Sequence, residues 1–473
     1  MKNIPLKPKY FLSVSLQGIA EGDFSMILGY PGTTDRYLTS YGVEQKINQL
    51  NPADVKAKWA KMEVLKKYMD GDEATRIVYA GDYAYLANFW KKSLEENKSL
   101  TRLKVYENKK KQEDLFSNWV KEDTSRKARY GDVIRDFAEV YKSKNESRTG
   151  EAIIYQQEVL TGCRILDIAF QTGELVNKFG SPEFEEMVEI SRKRANDFYK
   201  QFNPELEKEV MLNMFKVTWK NISPTYLPDI FATISKKYKG DLEKYTNHVF
   251  KKSIFASKEK LLDFLKDPSK KALEKDPAYV ASYSFLVSYM HASLSEMLLE
   301  DKFNAAQRNY IAGLREMSPG HPFYSDANST MRLTYGSIKA YEGADAVSYN
   351  YYSTLTGVMQ KEDSTNEEFI VPPRLKELYL KKDFGPYGKN GIIPVCFLTT
   401  HDITGGNSGS PVLNGNGELI GLAFDGNYEA MSSDIKYDVN LQRSICVDIR
   451  YILFVIDKFA GATYLVDEMK IVK

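Results

Sequence analysis

Residues 402–413 read Asp-Ile-Thr-Gly-Gly-Asn-Ser-Gly-Ser-Pro-Val-Leu, and a second short run, Gly-Glu-Leu-Ile-Gly, occupies residues 417–421. The apolar stretch Val395–Thr400 precedes the glycine-rich segment. Short apolar runs bounded by Gly, Asn and Pro predict β-strands joined by loops. The glycines let the backbone turn tightly, so that the N–H groups of Gly406 and Ser408 can point at one spot. The segment therefore predicts a polar loop between two strands, with the Ser408 hydroxyl beside that spot.

A string of this kind resembles the one that chymotrypsin-type serine peptidases place at their nucleophile. The resemblance implies that Ser408 is the nucleophile and that the N–H of Gly406 helps to hold the oxyanion of the tetrahedral intermediate. Pro411 would begin the strand that leaves the loop, and Leu419–Phe424 would pair with it as a hairpin. The alternative is a hairpin loop rich in Gly, Ser and Asn that carries no chemistry.

Two regions of β pattern enclose a long helical region, so we expect a mixed α and β fold. Residues 9–31 read as strand, turn and strand, while the helical pattern runs from about residue 45 to about residue 315. We expect three parts along the chain. These are the end of a first β-barrel region at 1–44, an α-helical domain at 45–324, and a β-barrel with a C-terminal helix at 325–473.

Two segments carry more specific expectations. Val280–Leu299 has few charges and predicts a helix buried inside the helical region. The β pattern of residues 9–31 is too short to be stable alone. It must therefore pair with the last β region, or with chain outside this sequence.

The composition excludes several classes of protein. The chain has 473 residues, of which 43% are hydrophobic and 27% charged, and its net charge of +1 argues against a nucleic-acid binder that relies on a basic surface. Its three cysteines lack a CxxC pair, and its four histidines are too widely spaced for a metal-binding pair. No apolar run is long enough to span a membrane, and the first residues lack the pattern of a signal peptide. We therefore expect no cofactor, metal, nucleic acid or membrane span.

Four longer strings carry a closer resemblance: residues 26–37, 326–336, 395–411 and 423–431. Through them, essentially the whole chain resembles the bacterial dipeptidyl-peptidase 7 and dipeptidyl-peptidase 11 family of serine exopeptidases. The resemblance implies a chymotrypsin-like double β-barrel with a large inserted α-helical domain. It also implies release of dipeptides from peptides with a free N-terminus, a homodimer when full length, and a periplasmic location.

The sequence departs from the family in its catalytic triad. The family takes its histidine and aspartate from a first barrel, upstream of the segment that matches residues 5–40, and none of the four histidines here matches the catalytic one. His401 lies seven residues before Ser408 in the same loop. We interpret it as a loop variant, with a role as base as the alternative. The chain therefore resembles the C-terminal two-thirds of the enzyme, and we expect it to be inactive alone because Ser408 lacks its base.

The resemblance also implies substrate-binding residues. Asp425, with an asparagine that matches Asn88, would hold the free α-ammonium of the peptide. The alternatives are a hairpin-turn aspartate and an amide on a helix surface. Gly426 would line the pocket for the residue before the cleaved bond, where the acidic-preferring branch of the family has arginine. Its missing side chain implies a hydrophobic or broad preference.

Asp402 lies six residues before Ser408, where trypsin-like enzymes keep the carboxylate that binds Lys or Arg. We interpret it as structural. Two other hypotheses for the whole chain stay open. One is a catalytically dead peptide-binding or scaffold protein, and the other is a chain that complements a separately encoded N-terminal half.

Overall fold

The computed structural model describes residues 8–473, and these form two compact units. One unit combines the described residues up to Leu38 with Pro322–Lys473, and the other is Thr39–His321. The borders lie at 38/39 and 321/322, against the expected 44/45 and 324/325. The first seven residues, where the sequence lacks a signal-peptide pattern, lie outside the described part.

The unit Thr39–His321, here called the helical unit, is helical as the sequence pattern predicted. Its helices are α1 (Ser40–Gln45), α2 (Asn51–Gly71), α3 (Glu73–Arg102), α4 (Val105–Lys121), α5 (Thr124–Tyr130), α6 (Val133–Ser147), α7 (Thr149–Gly162), α8 (Arg164–Gly173), α9 (Leu175–Lys178), α10 (Phe184–Phe198), α11 (Pro204–Asn221), α12 (Ile230–Tyr238), α13 (Leu242–Lys252), α14 (Lys258–Phe264), α15 (Lys270–Leu273) and α16 (Pro277–Met317).

Local sequence signals explain where several helices begin. α1 continues through a wider helical turn at Lys46–Leu50 into α2, and Pro52, which has no N–H to donate, lies just after this turn. Asn203 caps α11 by accepting hydrogen bonds from the N–H groups of the next turn, and Asp276 caps α16 in the same way. The buried sides of α2, α7, α8, α11 and α16 meet in one apolar core, with Leu65 and Phe215 fully buried in it.

Val280–Leu299 is helical, as predicted, but the prediction that this helix is buried is wrong for one of its two sides. The segment lies in α16, and one side, with Ala281 and Phe285, is buried in the core. The opposite side is exposed, and Met290 and Leu298 are 60% and 77% accessible. A low charge content predicted burial all round, whereas the neighbouring helices cover only one face.

The other unit, here called the barrel unit, is mainly strands. They are β1 (Val14–Ser15), β2 (Phe24–Gly29), β3 (Arg332–Ser337), β4 (Tyr341–Ala344), β5 (Val347–Tyr349), β6 (Tyr352–Thr354), β7 (Pro394–Thr399), β8 (Pro411–Leu413), β9 (Leu419–Gly426), β10 (Ser444–Asp448) and β11 (Ile471–Val472). Its helices are α17 (Leu355–Gln360), α18 (Pro373–Lys381), α19 (Ile449–Phe454) and α20 (Thr463–Asp467).

Six of these strands form an antiparallel ring in the order β3-β2-β8-β9-β10-β7. A bridge between Ile338 and Thr399 joins the ends of β3 and β7, and so closes the ring. Its interior is filled by buried apolar side chains that include Ile27, Phe397 and Val412. Residues 8–473 thus form one closed barrel, and the first β piece pairs through β2 with the last β region, as expected.

The apolar C-terminal stretch predicted as helix forms α19, which continues into a wider helical turn at Val455–Phe459. Leu453 and Phe454 are buried beside α18 in a second apolar cluster. In residues 8–473, no helix combines the length and the apolar character needed to cross a bilayer.

Candidate active site

The loop between β7 and β8 presents Ser408 at the surface. Ser408 is exposed, and its Oγ donates to the carbonyl oxygen of Phe424 in β9 over 3.5 Å. Gly406 has φ +101°, and a Cβ there would lie 2.3 Å from the carbonyl oxygen of Tyr30. Both the backbone conformation and the close approach require glycine at 406. The glycines thus let the loop fold against the chain after β2.

Hydrogen bonds on both sides of Ser408 fix the loop. Asn407 is buried and exchanges bonds with Thr404, since its N–H donates to the Thr404 carbonyl and its Oδ1 accepts from the Thr404 N–H. The N–H of Gly409 donates to the carbonyl of Ala423 over 2.7 Å. In the described part of the chain, the N–H groups of Gly406 and Ser408 make no backbone hydrogen bond. Both amides are therefore left without a backbone acceptor, as the donors of an oxyanion site are.

The chain after β2 supports the loop from behind. The N–H of Gly32 donates to the carbonyl oxygen of Gly405 over 2.6 Å. Gly29 also lies close to the loop, because a Cβ at this position would be 2.4 Å from Nδ2 of Asn407. The sequence alone does not indicate that residues 29–32 contact the Ser408 loop. This close approach explains why positions 29 and 32 are glycine.

His401 is not placed to act as a base for Ser408. It is 2% exposed, its Nδ1 lies 2.6 Å from Thr399 Oγ1, and its Nε2 lies 3.3 Å from Ser25 Oγ. Burial lowers the pKa of His401 to about 4, so the ring is neutral at pH 7. The other histidines belong to the helical unit, and no hydrogen bond among residues 8–473 joins a histidine to Ser408.

Asp425 and Gly426 end β9, directly after the acceptor of the Ser408 hydroxyl. The carboxylate of Asp425 is exposed, and its Oδ1 accepts from the N–H of Gly426 over 2.8 Å. A Cβ at Gly426 would lie 3.1 Å from Cβ of Ala430. The barrel unit therefore brings together Ser408, Gly406, Asp425 and Gly426, and position 426 adds no side chain beside the loop.

Asn88 is carried by the other unit. It lies on α3, exposed to solvent, beside the exposed rings of Tyr85 and Phe89. These two rings pack against each other with centroids 4.9 Å apart. An amide on an exposed, aromatic helix face has the donor and acceptor atoms to meet a peptide backbone.

Asp402 is neutralised by a residue that the sequence alone did not single out. The guanidinium of Arg36 donates two parallel hydrogen bonds of 2.7 Å to the two Asp402 oxygens. The Arg36 side chain is 9% exposed and also donates to Tyr324 Oη over 3.0 Å. A bidentate pair of this kind is strong and leaves little negative charge for a basic ligand. This geometry agrees with the interpretation of Asp402 as a structural residue. The Asp-Arg-Tyr run at 35–37 was the sequence feature that could have pointed to Arg36.

An apolar surface lies on the outside of the barrel next to this loop. Side chains of β2 and β3 alternate in and out, and the outward Leu28 and Leu333 are direct cross-strand partners. Phe24, Leu28, Leu333 and Tyr335 are 38–71% exposed. We call these four residues the β2–β3 face. Exposed apolar side chains on neighbouring strands are of the kind that protein contacts cover.

Comparisons with known proteins show what this chain is similar to. A family model described as Peptidase S46 matches residues 1–471. A dipeptidyl-peptidase 7 of Porphyromonas endodontalis is 43% identical over all of this chain, which spans 57% of that relative. An Asp/Glu-specific dipeptidyl-peptidase of Flavobacterium psychrophilum is 35% identical over 99% of the chain, which spans 66% of that relative.

A solved structure gives the same result for the fold. The crystal structure of Porphyromonas endodontalis DPP11 in complex with the dipeptide Arg-Glu superimposes with a TM-score of 0.89 at 34% identity. The match covers 98% of this chain and 67% of that one. The chain therefore spans between about three-fifths and two-thirds of the proteins to which it is similar.

Proposed function

This chain belongs to the peptidase S46 family, and we propose that it carries the nucleophile and the substrate-binding groups of a serine-type dipeptidyl aminopeptidase. The observation that carries the proposal is the loop at Ser408, whose hydroxyl is exposed beside two amides without backbone partners. That arrangement suits acyl transfer, in which a serine attacks a carbonyl and amides hold the resulting oxyanion.

In this mechanism Ser408 Oγ attacks the carbonyl carbon of the second residue of the peptide. The negative charge that develops on the carbonyl oxygen is held by the N–H groups of Gly406 and Ser408. A base takes the hydroxyl proton and returns it to the leaving amine, so that the peptide bond breaks and an acyl-enzyme remains. Water then releases the dipeptide by the same route.

We propose that the base is a histidine of polypeptide outside the described residues. Support comes from His401, which is buried and hydrogen-bonded elsewhere. The β2–β3 face adjoins the Ser408 loop and offers an apolar surface for a first barrel that would bring this histidine. This is the chymotrypsin-like double barrel that the family resemblance implies.

We propose that Asp425 recognises the free N-terminus of the peptide, and the family resemblance implies the same role for Asn88. An exposed carboxylate one residue beyond Phe424 can make a charge-assisted hydrogen bond to an α-ammonium. An endopeptidase would have no use for a carboxylate at that point, since an internal residue offers no ammonium group.

For the second residue of the dipeptide we propose a hydrophobic or broad preference. Gly426 adds no charge to the wall of the pocket, and Arg36 neutralises Asp402. Neither a basic nor an acidic side chain would therefore find a free counter-charge from these two positions. From the family resemblance we also propose a homodimer and a periplasmic location for the full-length protein.

One observation favours a second candidate function. Because no histidine among residues 8–473 is bonded to Ser408, the chain could bind peptides without cutting them. Hydrolysis of fluorogenic dipeptidyl amides separates the two functions. The assay uses the chain joined to polypeptide that supplies the base. In that form a dipeptidyl peptidase loses turnover in Ser408→Ala and retains peptide affinity, whereas a binding protein shows affinity with no turnover in either form.

A further inference from the structure

Arg443 is among the largest side chains that the protein buries completely. It is 1% exposed, and it is the last residue before β10. We call residues 427–443, which join β9 to β10, the β9–β10 loop. Burying a cation is costly unless polar groups surround it. The groups around Arg443 therefore indicate its role.

The guanidinium of Arg443 is enclosed by backbone carbonyl oxygens of the β9–β10 loop and of the turn between β3 and β4. They are those of Val439 (2.8 Å), Gln442 (2.8 Å), Asn440 (3.3 Å), Ala340 (3.0 Å) and Lys339 (3.2 Å). A guanidinium has five N–H donors, so these bonds use all of them and leave none for a carboxylate. Arg443 is thus a fixed internal cation that joins two separate loops.

The backbone of Arg443 holds the residues that follow β9. Its N–H donates to Oδ1 of Asn427 over 2.9 Å, and its carbonyl oxygen accepts from the N–H of Asn427 over 3.0 Å. Ser444, the next residue, is the strand partner of Gly426. A Cβ at Gly426 would lie 3.7 Å from the Arg443 carbonyl oxygen. Arg443 therefore lies directly behind the position that we assign to the pocket for the second residue of the dipeptide.

A second link to this position runs through Tyr341. The guanidinium carbon of Arg443 lies 5.7 Å from the centroid of the Tyr341 ring, within the range of a cation–π contact. The Tyr341 hydroxyl donates to Oε2 of Glu429 over 3.3 Å, and Glu429 lies in the short helical turn after β9. Ala430 of the same turn is the residue that a Cβ at Gly426 would meet first, at 3.1 Å. The guanidinium thus supports the segment after Gly426 from two directions.

We propose that Arg443 is a positioning residue for the pocket that receives the second residue of the dipeptide. The inference rests on the proposed function, and Arg443 acts through the wall at Gly426 without touching the substrate. A wall that is already fixed does not have to be ordered when a side chain enters, so binding is not weakened by that cost. Without the guanidinium, the enclosing carbonyl groups lose their donors, and the β9–β10 loop must rearrange to find others.

The test uses the chain joined to the N-terminal polypeptide of a dipeptidyl-peptidase 7 relative, with fluorogenic dipeptidyl amides that carry Leu or Gly as the second residue. Arg443→Ala is expected to raise KM for the Leu substrate roughly tenfold and to leave kcat within about threefold, since the groups at Ser408 are unchanged. KM for the Gly substrate, which has no side chain to place in the pocket, should change little. Arg374→Ala is the matched control, because the Arg374 side chain is 49% exposed on α18 of the same unit, and it should behave as wild type.

Guanidinium ion should restore the pocket of Arg443→Ala, because it replaces the group that was removed. Guanidinium chloride at millimolar concentration, far below the molar concentrations that unfold proteins, is expected to lower KM for the Leu substrate toward the wild-type value. Urea has a similar planar shape but no charge and fewer N–H donors, so the same concentration of urea should have no such effect.

Arg443→Lys decides the question if Arg443→Ala does not fold. Lysine keeps the charge but lacks the planar fork of donors, so KM for the Leu substrate should rise roughly threefold with kcat retained. A joined wild-type protein without turnover would overturn the proposed function, and this inference with it. If wild type turns over, this inference alone is overturned by an unchanged KM in either folded variant, by equal losses on the Leu and Gly substrates, or by a folded Arg443→Ala that guanidinium does not restore.

Discussion

The N–H of Gly32 donates to the carbonyl oxygen of Gly405 across 2.6 Å. In a trans peptide the carbonyl and the following N–H point in opposite directions. The bond therefore turns the Gly405–Gly406 peptide so that the Gly406 N–H points away from Gly32. We infer that the chain after β2 sets one of the two donors that the reaction needs.

Replacing Gly32 with alanine should weaken that donor. The new Cβ would lie 3.0 Å from the Gly405 carbonyl oxygen, so the Gly405–Gly406 peptide must shift. In the chain joined to the N-terminal polypeptide of a dipeptidyl-peptidase 7 relative, we expect kcat to fall roughly 10–100-fold with KM little changed, since the loss of an oxyanion donor is felt in the transition state. Gly357→Ala, where a Cβ meets no atom within 4 Å, is the control. Equal kcat values for the two variants would show that the Gly32 contact does not position the donor.

Asp425→Asn should impair recognition of the free N-terminus. The substitution keeps the size of the side chain and removes its charge. We therefore expect kcat/KM on dipeptidyl substrates to fall roughly 30–1,000-fold, which corresponds to a loss of about 2–4 kcal/mol of binding free energy. N-acetylated substrates, which lack the ammonium, should be poor for both proteins. If Asp425→Asn loses no activity on free-amine substrates, Asp425 is only a turn residue.

Gly426→Arg should change the preference at the second residue. A guanidinium on that wall would pair with a carboxylate of the substrate, so the ratio of kcat/KM for Glu over Leu should rise roughly tenfold or more. Ala430 must yield slightly, because it would lie 3.1 Å from the new Cβ. Gly426→Gln adds similar bulk without charge and should not favour Glu. A matching rise in the Gln variant would assign the effect to shape and contradict the proposed pocket.

The buried His401 should make the barrel unit sensitive to acid. Its folded-state pKa of about 4 lies below the unfolded value of about 6.5. The stability that depends on the neutral ring is therefore complete above pH 6.5 and is lost as the pH falls toward 4. Between pH 6.5 and pH 5 we expect a loss of about 2 kcal/mol in the free energy of unfolding.

Urea unfolding of wild type and His401→Asn at both pH values measures this loss. Asparagine does not titrate, so the variant should lose about 2 kcal/mol less than wild type over this interval. Parallel pH dependence in the two proteins would mean that His401 is protonated without cost in the folded state.

Local patterns in the sequence predicted the Ser408 loop and the strands beside it. Glycine spacing, apolar runs and the Gly-Glu-Leu-Ile-Gly strand signal are all properties of neighbouring residues, so they can be interpreted without a structure. The helical region was predictable for the same reason, because its apolar residues recur with helical spacing.

Contacts between distant residues were not predictable. Arg36 and Asp402 are 366 residues apart in the chain, and only the closed barrel places the two side chains together. The exposure of one face of α16 was not predicted, for a different reason. The sequence pattern of an apolar helix face is the same whether or not other helices cover that face. Val280–Leu299 was therefore expected to be a buried helix, whereas one of its faces is exposed.

The most direct test of the account is turnover of fluorogenic dipeptidyl amides by this chain alone and by the chain joined to the N-terminal polypeptide of its dipeptidyl-peptidase 7 relative. We predict no significant turnover by the chain alone, because no histidine among residues 8–473 is bonded to Ser408. The joined protein should release dipeptides, and Ser408→Ala should abolish that activity. Ser408-dependent turnover by the chain alone, or activity of the joined protein that survives Ser408→Ala, would contradict the account.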